Sequence, residues 1–358
     1  MSTIAFTGGG TGGHVYPAKP LIDLIKKETP QKNIYWIGSA GGMEEDILKD
    51  WNIPYRGISS GKLRRYFDLK NFTDLFRIIA GFFQARRTLR KERPEFLFSK
   101  GGFVSVPPVL AAKTLGIPVY THESDVTPGL ATRINSRFVN KIFLPYEASL
   151  KYNSPKFRDK CVVSGNPVRD SFFAGEATKG RAFVGAPESM PILLVMGGSL
   201  GAEQLNKLVE ENLEELTSFC FVIHQTGSKN FVPLERDNYY RAPYFKEELS
   251  HILTAATASL SRAGAAAIWE LAASRTPMLL LPLISGSRGD QVYNARVFEE
   301  AGAARILDEK TDLDGDSFIS AVKAVLQENN TDWAAVHSTL KMGQAQKIIL
   351  KTIEEDRA

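Results

Sequence analysis

The side chains best placed for chemistry follow short glycine-rich stretches. Gly8-x-Gly10-x-x-Gly13 comes directly after the apolar run Ile4-Ala5-Phe6-Thr7, and His14 comes directly after the last glycine. Glycines let a backbone approach a bulky ligand, and the helix expected from Ala18 to Lys27 would present N–H groups and a partial positive charge to an anion. The spacing matches the dinucleotide fingerprint, which also needs an acid at the end of the second strand to hold a ribose. That strand ends Trp36-Ile37-Gly38-Ser39 without one, and the chain has no Gly-Lys-Ser/Thr phosphate loop. A redox dinucleotide and a P-loop nucleotide are thereby set aside, which leaves an anion-binding loop or a tight turn without a ligand. A neutral His14 could take a proton near neutral pH; the plainer reading is that its ring only hydrogen-bonds the loop backbone.

The elements that would position these groups come in two similar sets. Ile192-Leu193-Leu194-Val195-Met196 reads as a strand, runs into Gly197-Gly198-Ser199-Leu200-Gly201 and continues as a helix expected over Ala202 to Leu216. Other loops follow expected strands: Lys100-Gly101-Gly102-Phe103 after 95–98, His122-Glu123-Ser124-Asp125 after 118–121, Gln225-Thr226-Gly227 after 219–223 and Ser261-Arg262-Ala263-Gly264 after 258–260. Further strands are expected at 34–37, 141–144 and 277–281. Helical stretches between them argue for parallel sheets, whose ligands sit beyond the carboxyl ends of the strands. The expected class is α/β, with two Rossmann-like domains in tandem whose parallel sheets face an interdomain cleft. The domains are expected at 1–165 and 166–339, with a helix from about 340 to 358 packing back on the first, and 174–190 reads as a surface loop.

Composition excludes several classes. With 358 residues, 43% hydrophobic and 23% charged, the chain can bury two cores and is neither disordered nor coiled-coil. Two cysteines without a CxxC argue against a disulfide scaffold or a cysteine zinc site. One of the longest apolar runs, Pro277 to Ile284, is far short of a membrane span, and no basic leader opens the chain, so a soluble cytoplasmic protein is expected. The net charge is only +4, yet the window from Lys62 to Arg93 holds ten basic and three acidic residues, +7 in all. Such an island suits an anionic partner, nucleic acid or membrane, unless it is a solvated helix face. Within it Leu69, Phe72, Phe76, Ile79 and Phe83 recur at helical spacing, widened by Leu75, Ile78 and Phe82. The stripe could be ordinary core. With Arg and Lys at its rim it could also lie on an anionic bilayer. Stacking single-stranded bases would call for a β platform instead.

The strings Thr7-Gly8-Gly9-Gly10-Thr11-Gly12-Gly13-His14-Val15-Tyr16-Pro17-Ala18, Lys100-Gly101-Gly102-Phe103-Val104-Ser105, Gly165-Asn166-Pro167-Val168-Arg169, Gly197-Gly198-Ser199-Leu200-Gly201-Ala202, Arg262-Ala263-Gly264 and Asp290-Gln291-Val292-Tyr293-Asn294-Ala295 stand in order between residue 3 and about residue 300. As an ordered set they resemble the MurG family, the peptidoglycan N-acetylglucosaminyltransferases of bacteria. The resemblance implies the GT-B architecture, a first domain for acceptor and membrane and a second for UDP-GlcNAc. It implies inverting transfer of GlcNAc from UDP-GlcNAc to the C4 hydroxyl of MurNAc in undecaprenyl-pyrophosphoryl-MurNAc-pentapeptide (lipid I), the last cytoplasmic step of peptidoglycan precursor synthesis. It implies no cofactor, no metal and no nucleic acid. The implied setting is peripheral, on the cytoplasmic face of the plasma membrane, with an anionic inner-leaflet surface as partner and room for other cell-wall synthesis proteins.

Carried over residue by residue, the resemblance places Thr11, Gly12 and Gly13 along the site, with His14 as the favoured general base. Arg169 would reach the donor diphosphate, which suits a guanidinium, and Ser199 would bond phosphate at a helix N-terminus. The main chain at Lys246 would read uracil, Gly264 and Ala265 would open the donor-site helix, and the Glu270 carboxylate would hold the ribose hydroxyls. Asp290 and Gln291 would touch the GlcNAc hydroxyls. Asp125 stands where many family members carry Asn, and it cannot donate as an amide does. His122 and Glu123 read as organisers of their loop, and Asp312-x-Asp314-x-Asp316 as a solvated run rather than a metal site. The leaving UDP could be stabilised by N–H dipoles and Arg169 alone. Phe72, Phe76, Ile79, Phe83, Arg86, Arg87 and Arg90 would face the membrane. Two rivals stay open: a GT-B transferase for another glycolipid or a small aglycone, and a non-catalytic nucleotide-sugar or nucleic-acid binding module.

Overall fold

The computed structural model describes residues 2–61, 70–198, 201–229, 231–284, 289–327 and 330–358, with the side chains of 70–73 left aside. The chain divides into two compact units, Met1–Pro167 with Gln344–Ala358, and Val168–Gly343. The first holds β1 (Thr3–Thr7), β2 (Asn33–Ser39), β3 (Tyr55–Ile58), β4 (Leu97–Ser99), β5 (Val119–His122), β6 (Lys141–Leu144) and β7 (Cys161–Val163). The second holds β8 (Ile192–Met196), β9 (Phe221–Gln225), β10 (Tyr239–Ala242), β11 (Ala258–Ser261), β12 (Met278–Leu280) and β13 (Ala304–Ile306). Each set forms one parallel sheet, in the orders β3-β2-β1-β4-β5-β6-β7 and β10-β9-β8-β11-β12-β13. The winding therefore reverses between β1 and β4, and again between β8 and β11, as in doubly wound nucleotide-binding folds.

Both faces of each sheet are covered, which is why its strands are near-continuous apolar runs rather than alternating ones. In the first unit Phe6, Trp36, Phe98 and Phe143 pack on one face against Leu21 and Ile22 of the helix Lys19–Glu28 and against Ile349 and Ile353 of the helix Ala345–Arg357. On the other face Ala5, Ile37, Leu97 and Leu144 meet Ala85, Leu89 and Val109. In the second unit Leu193, Val195, Val222 and Leu279 lie under Leu205, Val209, Leu216, Phe318 and Val322.

Local structure departs from the sequence reading in three places. The helix expected at 202–216 breaks at Asn212 into Glu203–Glu211 and Leu213–Phe219, so Phe219 ends a helix rather than opening a strand. The expected loop at 174–190 contains the helix Ala177–Val184, which packs on the helix Leu249–Ala255 so closely that a Cβ on Gly180 would lie 2.2 Å from the His251 carbonyl oxygen. Glycine there permits close packing, which composition alone made look like loop. Finally, the first glycine loop does not open straight into a helix. Two single turns, Gly12–His14 and Tyr16–Ala18, precede the helix at Lys19.

Because Ile353 is fully buried against the first sheet, Ile353→Ala should cost about 2–4 kcal/mol. A urea titration would register this as a lower midpoint at unchanged slope; a loss under 0.5 kcal/mol (roughly the surface-substitution range) would mean that the C-terminal helix is not part of that core.

Candidate functional site

In the first unit the loops after β1 and β4 meet at the reversal of winding. The Lys100 N–H donates to the Thr7 carbonyl (2.8 Å), which draws the start of one loop onto the other. His14 Nδ1 lies 3.1 Å from the Lys100 carbonyl oxygen. A carbonyl can only accept, so the neutral ring carries its proton on Nδ1 and its lone pair on Nε2, the arrangement a general base requires. Gly102 makes this possible: its φ is +74°, and a Cβ there would lie 2.3 Å from the Gly9 carbonyl oxygen and 3.0 Å from His14 Cδ2. Thr11 and Gly13 are exposed and Gly12 and His14 half-buried, so the turn presents its outer side to solvent.

Charged side chains beneath the surface hold these loops. Glu44 is fully buried and accepts from Ser39 N (2.8 Å) and Gly10 N (3.3 Å). The acid that the dinucleotide fingerprint wants on β2 is thus found on the following helix, employed on the glycine loop itself. Glu123 accepts from Ser124 N (2.9 Å), Asp125 N (3.4 Å), Gly129 N (3.0 Å) and Thr132 Oγ1 (2.6 Å), so it organises the 124–129 loop. Asp125 is half-buried in that loop. Asn166 donates to the Ser124 carbonyl (2.9 Å).

The second unit repeats the plan with different chemistry. Gly197, Gly198 and Gly201 after β8, Arg262 and Gly264 after β11, and Gln291 line a cavity of about 760 Å³. Gly264 is the N-cap of the helix Ala265–Ala273, and a Cβ there would touch nothing within 4 Å, so the helix N-terminus stands open to the cavity. Ala265 opens that helix, with its side chain buried. Arg262 donates to the Leu281 carbonyl (3.0 Å) and Gln204 Oε1 (2.7 Å), and Glu309 lies 3.8 Å away. Burial lowers the proton affinity of its guanidinium, opposed by Glu309. Gln291 Oε1 accepts from Leu283 N (2.9 Å), which turns its amide N–H groups toward other partners. Asp290 is buried at the start of the helix Asp290–Glu300.

Arg169 Nη2 and Glu270 Oε1 are 3.3 Å apart, and the guanidinium stacks 4.5 Å above the Phe172 ring. Burial pushes the Glu270 carboxyl up to about 7, and Arg169 opposes that rise. Solvent reaches 23% of the Glu270 side chain and works in the same direction as Arg169, toward the anion. Lys246 is exposed; its N–H donates to Glu248 Oε2 (3.3 Å) and its carbonyl accepts from Leu249 N (3.4 Å). Gln225 ties that segment to the glycine loop, accepting from Phe245 N (3.1 Å) and donating to the Gly198 carbonyl (3.5 Å). Ser199 lies outside the described residues. Asp312 and Asp314 serve their own loop, accepting from Asp308 N (2.9 Å) and Ser317 N (3.1 Å).

The helix Lys70–Glu92 settles which way its stripe points. Asp74, Gly81, Ala85 and Leu89 are buried, with Ile78 and Phe82 partly so. Phe76 (71% exposed), Ile79 and Phe83 (63%) point outward, together with Arg87 and Arg90. Arg86 is half-buried, with Nε on Thr114 Oγ1 (3.3 Å). The Phe72 side chain lies outside the described residues.

The glycosyltransferase family 28 N-terminal domain matches residues 4–144, and the family's C-terminal domain matches residues 192–351. The chain belongs to glycosyltransferase family 28. A relative from Treponema denticola, named UDP-N-acetylglucosamine--N-acetylmuramyl-(pentapeptide) pyrophosphoryl-undecaprenol N-acetylglucosamine transferase, is 43% identical over 329 residues, covering 86% of this chain and 84% of its own. A protein of the same name from Clostridium botulinum is 40% identical over 358 residues, 99% of both chains. Among solved structures, MurG of Acinetobacter baumannii superposes with a TM-score of 0.73 at 24% identity over 99% of this chain and 100% of that one. The glycotransferase of kitacinnamycin superposes at 0.75 with 15% identity, over 99% and 98%. These last two show the fold, GT-B.

In this family 28 chain Glu44, Lys100, Gln225 and Arg262 hold the loops from beneath, and none of the four stood among the candidate site residues of the sequence. Their one signal was position, since each but Glu44 stands at or just past a strand's C-terminal end. The Glu270 carboxyl yields a test with a definite sign. Its folded value stands above the usual carboxylate value, so the folded state binds more protons and loses stability as pH rises from about 4.5 to 7. Glu270→Gln should remove that decline, a difference of at most about 3 kcal/mol at pH 8. Denaturation midpoints of the two proteins that run parallel from pH 4.5 to 8 would show that Glu270 carries no such strain.

Proposed function

We propose that this chain transfers N-acetylglucosamine from UDP-GlcNAc to the muramyl unit of undecaprenyl-pyrophosphoryl-MurNAc-pentapeptide. Identity of 40% over 99% of both chains with the Clostridium botulinum transferase carries this reading, and the geometry supplies a chemistry for it. The acceptor hydroxyl gives its proton to His14 Nε2 as its oxygen attacks the anomeric carbon. The bond from that carbon to the UDP oxygen breaks on the opposite face, so the configuration inverts. Negative charge grows on the departing diphosphate, where the open helix N-terminus at Gly264 and the Arg169 guanidinium would stabilise it. Glu270 would accept hydrogen bonds from the ribose. The glycine loop 8–13 would line the acceptor side, while Asp290 and Gln291 would hold the transferred sugar. Release of UDP from UDP-GlcNAc should require a soluble lipid I analogue; release that is the same without acceptor would sink the transferase reading. His14→Ala should fold normally and lose roughly 10²–10⁴ in kcat at nearly constant donor KM, the range of a positioned general base. A loss under tenfold would return His14 to holding the loop backbone.

We further infer that the outward face of the helix Lys70–Glu92 meets an anionic membrane surface. An apolar stripe of this exposure exceeds what a solvated helix needs, and the arginines follow it on the same face. Each basic residue near such a surface contributes about 1 kcal/mol, screened by salt, and the phenylalanines add an apolar contribution that salt leaves intact. Binding to vesicles containing phosphatidylglycerol should weaken but persist between low and high salt. Combining Phe76→Ser, Phe83→Ser, Arg87→Glu and Arg90→Glu should abolish it while activity on a water-soluble acceptor stays within about twofold. If the variant sedimented with vesicles as well as the parent does, this face would not be the membrane surface.

A further inference from the structure

Lys100 is a buried cation. It stands just past the end of β4 with 2% of its surface exposed. Its Nζ contacts two side chains, His122 Nδ1 and Ser124 Oγ (3.0 Å). Both are neutral acceptors. His122 Nε2 must donate to the Gly165 carbonyl (3.1 Å), which leaves Nδ1 to accept. Burial first, then the nearby Lys100 charge, hold the His122 ring well below the usual imidazole range. Burial also lowers Lys100 to about 7, while the carboxylates of Glu123 and Asp125 favour its charged form.

An ammonium buried among neutral partners needs counter-charge nearby. Glu123 supplies the larger share of that counter-charge and also accepts from four donors that build its own loop, so it is fixed in place, and Asp125 adds the second charge two residues on. Asp125 is the position at which this chain carries an acid where the family resemblance gives an amide. The same lysine's carbonyl also fixes the His14 tautomer. One residue therefore touches both arms of the site: the catalytic loop through its main chain and the 122–125 loop through its side chain.

We propose that Lys100 is a positioning residue for the acceptor side of the enzyme, its ammonium balancing Asp125 and holding the 122–125 loop in register with His14. The proposal rests on the assignment of these first-unit loops to the acceptor. With Lys100 charged, the formal charge of Lys100, Glu123 and Asp125 is −1. Lys100→Met keeps the main-chain carbonyl and an unbranched side chain, shorter only by the terminal nitrogen, but leaves two carboxylates without a cation. Asp125→Asn leaves the cation with Glu123 alone. The double variant restores −1, so lysine with aspartate and methionine with asparagine are two solutions to one charge balance.

The test is a double-mutant cycle read in three ways: kcat and KM for a soluble lipid I analogue, KM for UDP-GlcNAc, and melting temperature. Lys100→Met should lower acceptor kcat/KM about 30-fold with donor KM unchanged within about twofold. Lys100→Met with Asp125→Asn should return acceptor kcat/KM to within about fivefold of the parent, and the melting temperature should recover with it. A double variant whose loss equals the product of the two single losses would overturn the pairing. If melting temperatures show coupling while no variant loses acceptor activity, the loops do not belong to the acceptor site, and the positioning role falls with that assignment. Should Lys100→Met fail to fold alone, the double variant decides: folded and active supports the proposal, unfolded or inactive overturns it.

Discussion

Where a parallel sheet reverses its winding, two neighbouring strands send their connections to opposite faces and leave a gap beyond their carboxyl ends. Both sheets of this protein carry that reversal, at β1 and β4 and at β8 and β11, and the candidate chemistry is built on the loops at these points. The gap admits a ligand only if the backbone around it stays thin. Gly102, which would collide with Gly9 and His14 if it bore a Cβ, shows how tightly the first gap is drawn. In the second unit the cavity floor is glycine on both sides of the reversal, and a helix N-terminus opens onto it.

Thin glycine loops have little apolar surface with which to hold themselves in place. The structure holds them instead with charged side chains placed beneath. Glu44 bonds the 8–13 loop, Glu123 bonds the 124–129 loop through four donors, and Arg262 spans a helix and a strand end in the second unit. A charge buried in this way costs several kcal/mol unless it is saturated with partners, so each one commits a particular set of backbone groups to a particular position. That commitment is what a site needs when the reacting atoms must be placed within about half an ångström.

The helix Lys70–Glu92 shows the same division of labour on a larger scale. Its inward side sets Gly81 and Ala85 beside Leu89, with Phe82 partly buried, so the helix lies close to the end of β3, with a Gly81 Cβ position only 2.0 Å from the Ser59 carbonyl oxygen. The large apolar residues Phe76, Ile79 and Phe83 are thereby left outside. Seating the helix closely and presenting phenylalanine outward are two consequences of one residue pattern.

Much of this architecture was legible along the chain. Two strand–glycine–helix units, the parallel strands around them and the loop ends that carry polar residues follow from short-range pattern, since apolar runs and glycine positions report local backbone requirements directly. The candidate base His14 was legible for the same reason, being adjacent to its loop. What the chain could not disclose were pairings across long separations: Lys100 beneath His14, Glu44 under Gly10, or Gln225 between Phe245 and Gly198. A glycine in Ala177–Val184 looked like loop because only the neighbouring helix explains why a side chain there is excluded. The stripe at 76, 79 and 83 was equally consistent with core or surface, because periodicity fixes which residues share a face and not what that face meets. The tertiary structure decided that, by seating Gly81, Ala85 and Leu89 inward and leaving Phe76, Ile79 and Phe83 outside.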